Sequence, residues 1–340
     1  MQAFFRSATL TTTHLWFTVR VSTILELDAY SGASLRGSFF NAIWYRFCTN
    51  KSAISCAKCP LHEACPVSAL VAPLREESAL GQDIPRPYVI MPPLEGGRRY
   101  QPDDHFSFGM TFFGSIIQLL PYIMLSLPQL EVEGLGRRLV ENRNERGRFQ
   151  IERVEVYHPW TDERQTIYAE GSTRVNSAPI SVQIEECVRR AEALRQDKLT
   201  LQFVTPLRLV DREHLVKNAS LRPLIQRLLE RYVTLEQFYG NADFVLGRED
   251  KLELLRQADG ISCSQDRTRW QELKSYSNRQ KRTTPIGGLL GEATFVGDLS
   301  ALLPILMIGE LIHVGKNVVK GNGWYRVAQE VEEQLLVEQK

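Results

Sequence analysis

TFFGSIIQLLP (Thr111–Pro121) and TFVGDLSALLP (Thr294–Pro304) share the pattern T-F-x-G-x4-L-L-P, 183 residues apart. Two further matches run in the same order at nearly the same spacing. ASLRG (Ala33–Gly37) corresponds to ASLRP (Ala219–Pro223), 186 residues on. HLWFTVRV (His14–Val21) and KLTLQFVT (Lys198–Thr205) both alternate apolar and polar residues, 184 residues apart. Three ordered matches at one spacing point to an internal duplication. Each copy has the same succession of elements. A period-2 strand is followed by a helix, with Leu35, Phe39, Ile43 and Phe47 on one face in the first copy. In the second, Leu221, Leu224, Ile225, Leu228, Leu229, Tyr232 and Leu235 form the stripe, and Gly240 is the stop signal. An apolar strand ending in F-x-G, a second helix and a glycine-containing loop come next: GLGRR (Gly134–Arg138) in one copy, GKNVVKGNG (Gly315–Gly323) in the other. RFQIERVEVY and WYRVAQEV close the copies as final strands. Two more strands fit between, so the expected fold is α+β, with two tandem ferredoxin-like (RRM-like) βαββαβ domains. The expected division is 1–178 and 179–340, with a cysteine-rich insert at 48–66 in the first domain and the glycine-rich loop at 315–323 in the second.

The 340 residues are 43% hydrophobic and 24% charged, as for a well-packed protein of two domains. Net charge is +1, so any nucleic-acid function must rest on local patches. Met1–Leu10 shows no secretory signal, and a cytoplasmic location is expected. Phe106–Leu130 has no charged residue and is long enough to span a bilayer, but it contains Gly109, Gly114, Pro121 and Pro128. It reads as a buried strand and then a helix. Its repeat partner carries Asp298, so no membrane association is expected.

HVGKNVVKGNGWYRV (His313–Val327) holds one histidine, two lysines and three glycines without an acid. A phosphate-cradling P-loop or Rossmann loop lies after a strand and before a helix, whereas this loop follows a helix. Two readings stay open. The glycines could let backbone amides approach a phosphate, with Lys316 and Lys320 supplying charge and Trp324 and Tyr325 offering stacking faces. Alternatively, the segment is a helix-to-strand turn with solvated lysines and a core aromatic pair. The densest cationic segment, Arg267 to Arg282, interleaves Arg267, Arg269, Lys274, Arg279, Lys281 and Arg282 with Trp270 and Tyr276. Cys48, Cys56, Cys59 and Cys65 form C-x7-C-x2-C-x5-C, with Pro60 and Pro66 after two of them. Four thiolates suit a structural tetrahedral zinc, with an iron–sulfur cluster as the alternative.

GGLLGEATFVGDLSALLPILMIGELI followed by HVGKNVVKGNGWYRV resembles the C-terminal signature of the CRISPR-associated RAMP endoribonucleases that process precursor crRNA. FVTPLRL (Phe203–Leu209), RQKRTTPIGG (Arg279–Gly288) and YSGASLRG (Tyr30–Gly37) are also similar to that family. The resemblance is strongest from Lys198 to Val327. It departs at Val318, Val319 and Lys320, where the family usually has small hydroxyl residues and an aromatic. The resemblance implies tandem RRM-like domains that bind CRISPR repeat RNA, and cleavage without a metal or other catalytic cofactor. The ribose 2′-OH would attack the adjacent phosphate, leaving 2′,3′-cyclic phosphate and 5′-OH ends. Such chemistry needs a base, an acid and a cation. Many members carry a catalytic histidine in or just after the first helix, whereas this chain has none between Ser34 and Cys48. His313 sits beside the glycine loop with Lys316 three residues on, so the catalytic assignment is given to that pair, and next to His14 at the start of the first strand. The RNA-binding set is Arg36, Arg267, Arg269, Lys274, Tyr276, Arg279, Lys281, Arg282, Gly315, Lys320, Gly321 and Gly323. The competing readings are a non-catalytic crRNA-binding subunit, partnered by other CRISPR effector subunits, and a metal-binding scaffold built on the cysteine loop.

Overall fold

The alternation in TTTHLWFTVRV forms strand β1 (Thr11–Val21), whose Leu15, Phe17, Val19 and Val21 all face the first core. In the computed structural model, residues 5, 7–73, 84–172, 174–277 and 282–328 are described. β1 lies between β3 (His105–Phe113) and β4 (Phe149–Tyr157), antiparallel to both. β2 (Tyr88–Met91) borders β3, and β5 (Arg164–Ala169) borders β4. Helix α1 (Gly32–Phe47) joins β1 to β2, and α2 (Leu120–Glu133) joins β3 to β4. Their apolar faces pack in that core: Leu35, Phe39 and Ile43 from α1, and Ile123, Leu127 and Leu130 from α2. This is a ferredoxin-like sheet with one added edge strand.

The second half repeats the order. β6 (Lys198–Leu207) lies between β9 (Gly288–Val296) and β10 (Tyr325–Ala328). β7 (Ser262–Asp266) and β8 (Arg269–Gln271) follow one another along the outer edge of β9. Helices α4 (Leu221–Tyr239) and α5 (Arg248–Asp259) precede β7, and α6 (Leu303–Ile312) precedes β10. A linking helix, α3 (Ile184–Glu192), carries Cys187 and Val188 into the second core. The T-F-x-G motif ends β3 and β9 alike. Opposite Thr111 is His14 and opposite Thr294 is Thr200, each pair bonded through side chains at 2.9 Å. The uncharged stretch divides between central β3 and α2. The helical run Gly114–Glu133 is long and apolar enough to cross a bilayer, but its Ile123, Met124, Leu127 and Leu130 are buried in the first core.

The two cores exchange residues. Phe5, Ala8, Leu10, Val89 and Phe113 belong to the second core, and Val319 packs on the first. Val182 and Gln183 pair with Thr12 and Thr11 of β1. The Glu236 carboxylate of α4 is fully buried and accepts bonds from the Thr9, Leu10 and Asn241 amides at 2.5, 2.9 and 3.0 Å. Gly32 admits the Lys320 carbonyl: a Cβ there would lie 1.9 Å from that oxygen. These contacts hold the glycine loop of the second half against α1 of the first.

Candidate nucleic-acid interface

α6 stops at His313, which leaves the helical region with φ +58° and sends the chain into the glycine loop. Arg231 of α4 secures that exit by donating through Nε to the carbonyls of Ile312 and His313 at 2.9 and 3.0 Å. Burial lowers the Arg231 pKa to about 10, so the group stays charged at neutral pH. The His313 ring stacks on Trp324 at 6.0 Å and 8° between planes, and only 1% of the residue is exposed. His14 is equally interior. It is 3% exposed and bridges the hydroxyls of Thr12 and Thr111, both at 2.9 Å.

Both histidines of the catalytic expectation thus lie in the interior, whereas the sequence reading has them beside the RNA. With 1% and 3% of the residues exposed, little ring surface faces solvent. Burial, then the charge of Arg231, pushes the His313 pKa well below 6.5. Burial, then His158, lowers that of His14 to about 3. Both rings are thus neutral in the fold, while the unfolded chain titrates near 6.5. Stability is complete above that pH and is lost as pH falls, because the unfolded state then binds more protons. The expected loss is about 1.4 kcal/mol per pH unit per ring, starting below pH 6.5 and continuing toward pH 3 for His14. Urea midpoints measured from pH 7 to 4.5 check this, and H14N should flatten the slope.

The loop glycines also serve the protein itself. Gly315, Gly321 and Gly323 have φ of +91°, +86° and +70°. A Cβ at each would meet Arg208 O at 2.5 Å, Ile90 O at 2.9 Å and Val314 O at 1.7 Å. The amides of Lys316, Lys320, Gly321 and Gly323 donate to carbonyls of Arg208, Asn317, Val318 and Pro206. These four amides are thus engaged within the protein, as in a helix-to-strand turn. Lys316 remains exposed and Lys320 half-buried.

Charge pairing picks out another surface. Arg20, Arg99, Arg137 and Arg148 lie 2.6–2.9 Å from carboxylates of Glu152, Glu141, Asp28 and Glu145. Among the described residues, no carboxylate comes within 4 Å of Arg164, Arg208, Arg267, Arg269 or Arg326. These five are linked in space. Arg164 and Arg326 both act on the Tyr157 hydroxyl. Arg326 and Arg267 line one groove with Gln202, Val204, Glu292 and Leu94. Arg269 follows on β8 beside Trp270, over whose ring sit Arg208 at 5.6 Å and Lys217 at 5.7 Å. Tyr30 joins from the first half, its hydroxyl donating to Gln271 at 3.2 Å. A chain of near-neutral net charge thus carries a local cationic strip across both halves, while Arg20, Arg99, Arg137 and Arg148 are paired to carboxylates elsewhere.

Of the RNA-binding residues expected from sequence, Arg267, Arg269 and Lys274 are exposed, and Arg36 is half-exposed on α1. Tyr276 and Arg282 lie on the paired strands Lys274–Ser277 and Arg282–Pro285. Arg279 and Lys281 lie outside the described residues. Sequence reasoning missed Arg164, Arg208, Lys217 and Arg326. They are isolated cations in separate segments, and only the paired sheets align them. The cysteine expectation is corrected too. Cys48, Cys56, Cys59 and Cys65 form no disulfide and are half-buried, with Cys48, Cys56 and Cys65 packed on the first core. Among the described residues, no three histidine, cysteine or acidic side chains converge in a metal-holding group, so neither zinc nor an iron–sulfur cluster is supported.

Two family models cover most of the chain. One, described as AF_1859_N, N-terminal domain, matches residues 10–180. The other, described as CRISPR-associated endoribonuclease Cas6, matches residues 201–325. The second half of the chain thus carries a Cas6-family domain. Solved structures agree on the fold. A Cas6 product complex is 15% identical with a TM-score of 0.55, covering 95% of this chain and 100% of that one. Thermus thermophilus Cas6 is 13% identical with a TM-score of 0.54, covering 94% and 100%. A partial Cas6-RT-Cas1–Cas2 complex is 12% identical with a TM-score of 0.59; the match covers 96% of this chain and 47% of the other. No curated protein sequence matches. In this chain, the end of the first helix presents Tyr45, 57% exposed. The Lys51 ammonium lies 4.8 Å from that ring and 5.2 Å from the Trp44 ring.

Proposed function

We propose that this chain binds CRISPR repeat RNA along the cationic strip and cleaves precursor crRNA without a metal. The observation that carries the reading is the run of carboxylate-free arginines, with Trp270 among them, spanning both halves of a Cas6-like fold. A flexible phosphodiester strand suits such a surface, since phosphates meet guanidinium groups and unpaired bases stack on the indole. In the cleavage step a base takes the 2′-OH proton, the 2′-oxygen bonds to phosphorus and the P–O5′ bond breaks. An acid then protonates the leaving 5′-oxygen. The exposed groups suited to these tasks are Tyr45 and Lys51 for proton transfer and Lys316 for charge on the phosphorane. A phenol is a weaker acid than an imidazolium, so turnover should be slow beside a histidine-bearing relative.

The test uses a synthetic repeat RNA and the purified protein in EDTA. Products ending in 2′,3′-cyclic phosphate, lost with a 2′-deoxy residue at the cut site and with Y45F, support the mechanism. Cleavage unchanged in Y45F and K51A removes both residues from it. The interior position of His313 and His14 favours a second reading, a crRNA-binding subunit that does not cut and sits with other CRISPR effector subunits. Tight binding with the RNA left intact identifies that case.

A further inference from the structure

Where the strip crosses the second sheet, the open face carries a polar row. Gln202 of β6 lies opposite Glu292 of β9 on one side and opposite Arg326 of β10 on the other. Their strand neighbours Leu201, Phe203, Ala293 and Tyr325 belong to the second core, so the three polar side chains project from the other face. Gln202 Nε2 donates to Glu292 Oε1 at 3.3 Å. The row lines a groove of about 490 Å³ together with Arg267, Gly291 and Leu94. That volume is on the scale of a small-ligand site. Gly291 has φ +110°, and a Cβ there would meet Arg267 O at 2.5 Å, so the floor beside Glu292 is bare backbone. Leu94 comes from the first half and is 49% exposed, giving the groove an apolar wall.

A carboxylate is the wrong group for a surface that meets only phosphates, because it repels them. Among the described residues, no lysine or arginine nitrogen lies within 4 Å of the Glu292 carboxylate. Glu292 is half-buried, and its oxygens keep acceptor capacity beyond the Gln202 bond. Acceptors flanked by arginines suit the edge of a base. Of the four RNA bases, guanine has two adjacent donors, N1–H and N2–H, on its Watson–Crick edge, next to the O6 acceptor. One carboxylate accepts that pair side by side. The Gln202 amide nitrogen has a second hydrogen to give to O6 while its first stays on Glu292. Adenine and cytosine instead turn a ring-nitrogen acceptor toward the carboxylate, and uracil has one donor between two carbonyls. We propose that Glu292 and Gln202 read an unpaired guanine of the bound RNA, with Arg267 and Arg326 on the flanking phosphates and Leu94 against the base. The inference rests on the RNA binding proposed above and adds a base preference to it, with no part in the cleavage step.

The experiment uses the full chain and single-stranded uridine octamers that carry one central guanosine, adenosine, cytidine or inosine. Wild type should hold the guanosine octamer about tenfold tighter than the adenosine, cytidine or all-uridine octamer, because charge-assisted hydrogen bonds are lost with the other bases. Inosine lacks the N2 amino group and should fall between. E292Q keeps the side-chain volume but turns an amide NH2 toward the guanine donors, and should bring all the octamers within about twofold of one another. Q202A removes the donor to O6, and should cut the preference about threefold while keeping the inosine deficit. Thermal melting equal to wild type shows that a variant is folded, and the inosine comparison tests the N2 contact in the unaltered protein. Equal wild-type affinity for every octamer, with binding lost in R208A/R267A/R269A, overturns the guanine site and leaves the strip intact. A guanosine preference that survives in E292Q overturns it as well. Failure of wild type to bind any octamer or a repeat RNA removes the proposed function and the guanine site together.

Discussion

Glu236→Ala should cost about 4 kcal/mol of stability, the largest loss foreseen for any single side chain outside the hydrophobic cores. The carboxylate is fully buried on α4 and gathers three backbone amides: Thr9, Leu10 and Asn241. Truncation leaves the buried Leu10 donor and the part-buried Thr9 and Asn241 donors unmatched, a buried one being worth about 1–3 kcal/mol. It also frees the segment entering β1 from the second half. Glu236→Gln keeps the volume but turns an amide NH2 toward N–H donors, so an intermediate loss is expected. Urea midpoints provide the measurement. A loss below 1 kcal/mol for the alanine variant would show that water enters to satisfy the amides, and that the entry to β1 is held by its apolar contacts alone.

RNA affinity should fall by about three orders of magnitude in R208A/R267A/R269A, roughly tenfold per lost phosphate contact. The slope of log K against log salt should drop by about two to three. W270A should add a loss of about 1–3 kcal/mol that does not change with salt, since stacking releases no counterions. The control R20A/R99A/R148A removes the same number of charges from arginines already paired to carboxylates, and should change affinity little. Filter binding to a repeat RNA at several salt concentrations separates these terms. If the control triple weakens binding as much as the strip triple, net charge governs binding and the strip has no special role.

Much of the architecture was legible because duplication leaves a trace at several levels. The T-F-x-G-x4-L-L-P motif, the alternating first strands and the two helical stripes agree in order. The structure places Thr111 and Thr294 at corresponding registers of β3 and β9. The cationic segment around Arg267–Lys274 was legible too, because residues close in sequence on exposed strands stay close in space. The site chemistry was harder to read. His313 and His14 looked available because nothing in a string of residues says that two sheets and a tryptophan will close over them. The four cysteines matched a ligand spacing, but three pack their thiols on the first core instead.

The sequence by itself determined the tandem repeat, the strand and helix order within each half and the glycine stops, because these follow from local periodicity and backbone freedom. Only the tertiary structure decided which rings are buried, which arginines lack a carboxylate and which cations align across both halves. Burial, pairing and like-charge proximity depend on distances between residues far apart in the chain, and those distances exist only after the halves have packed.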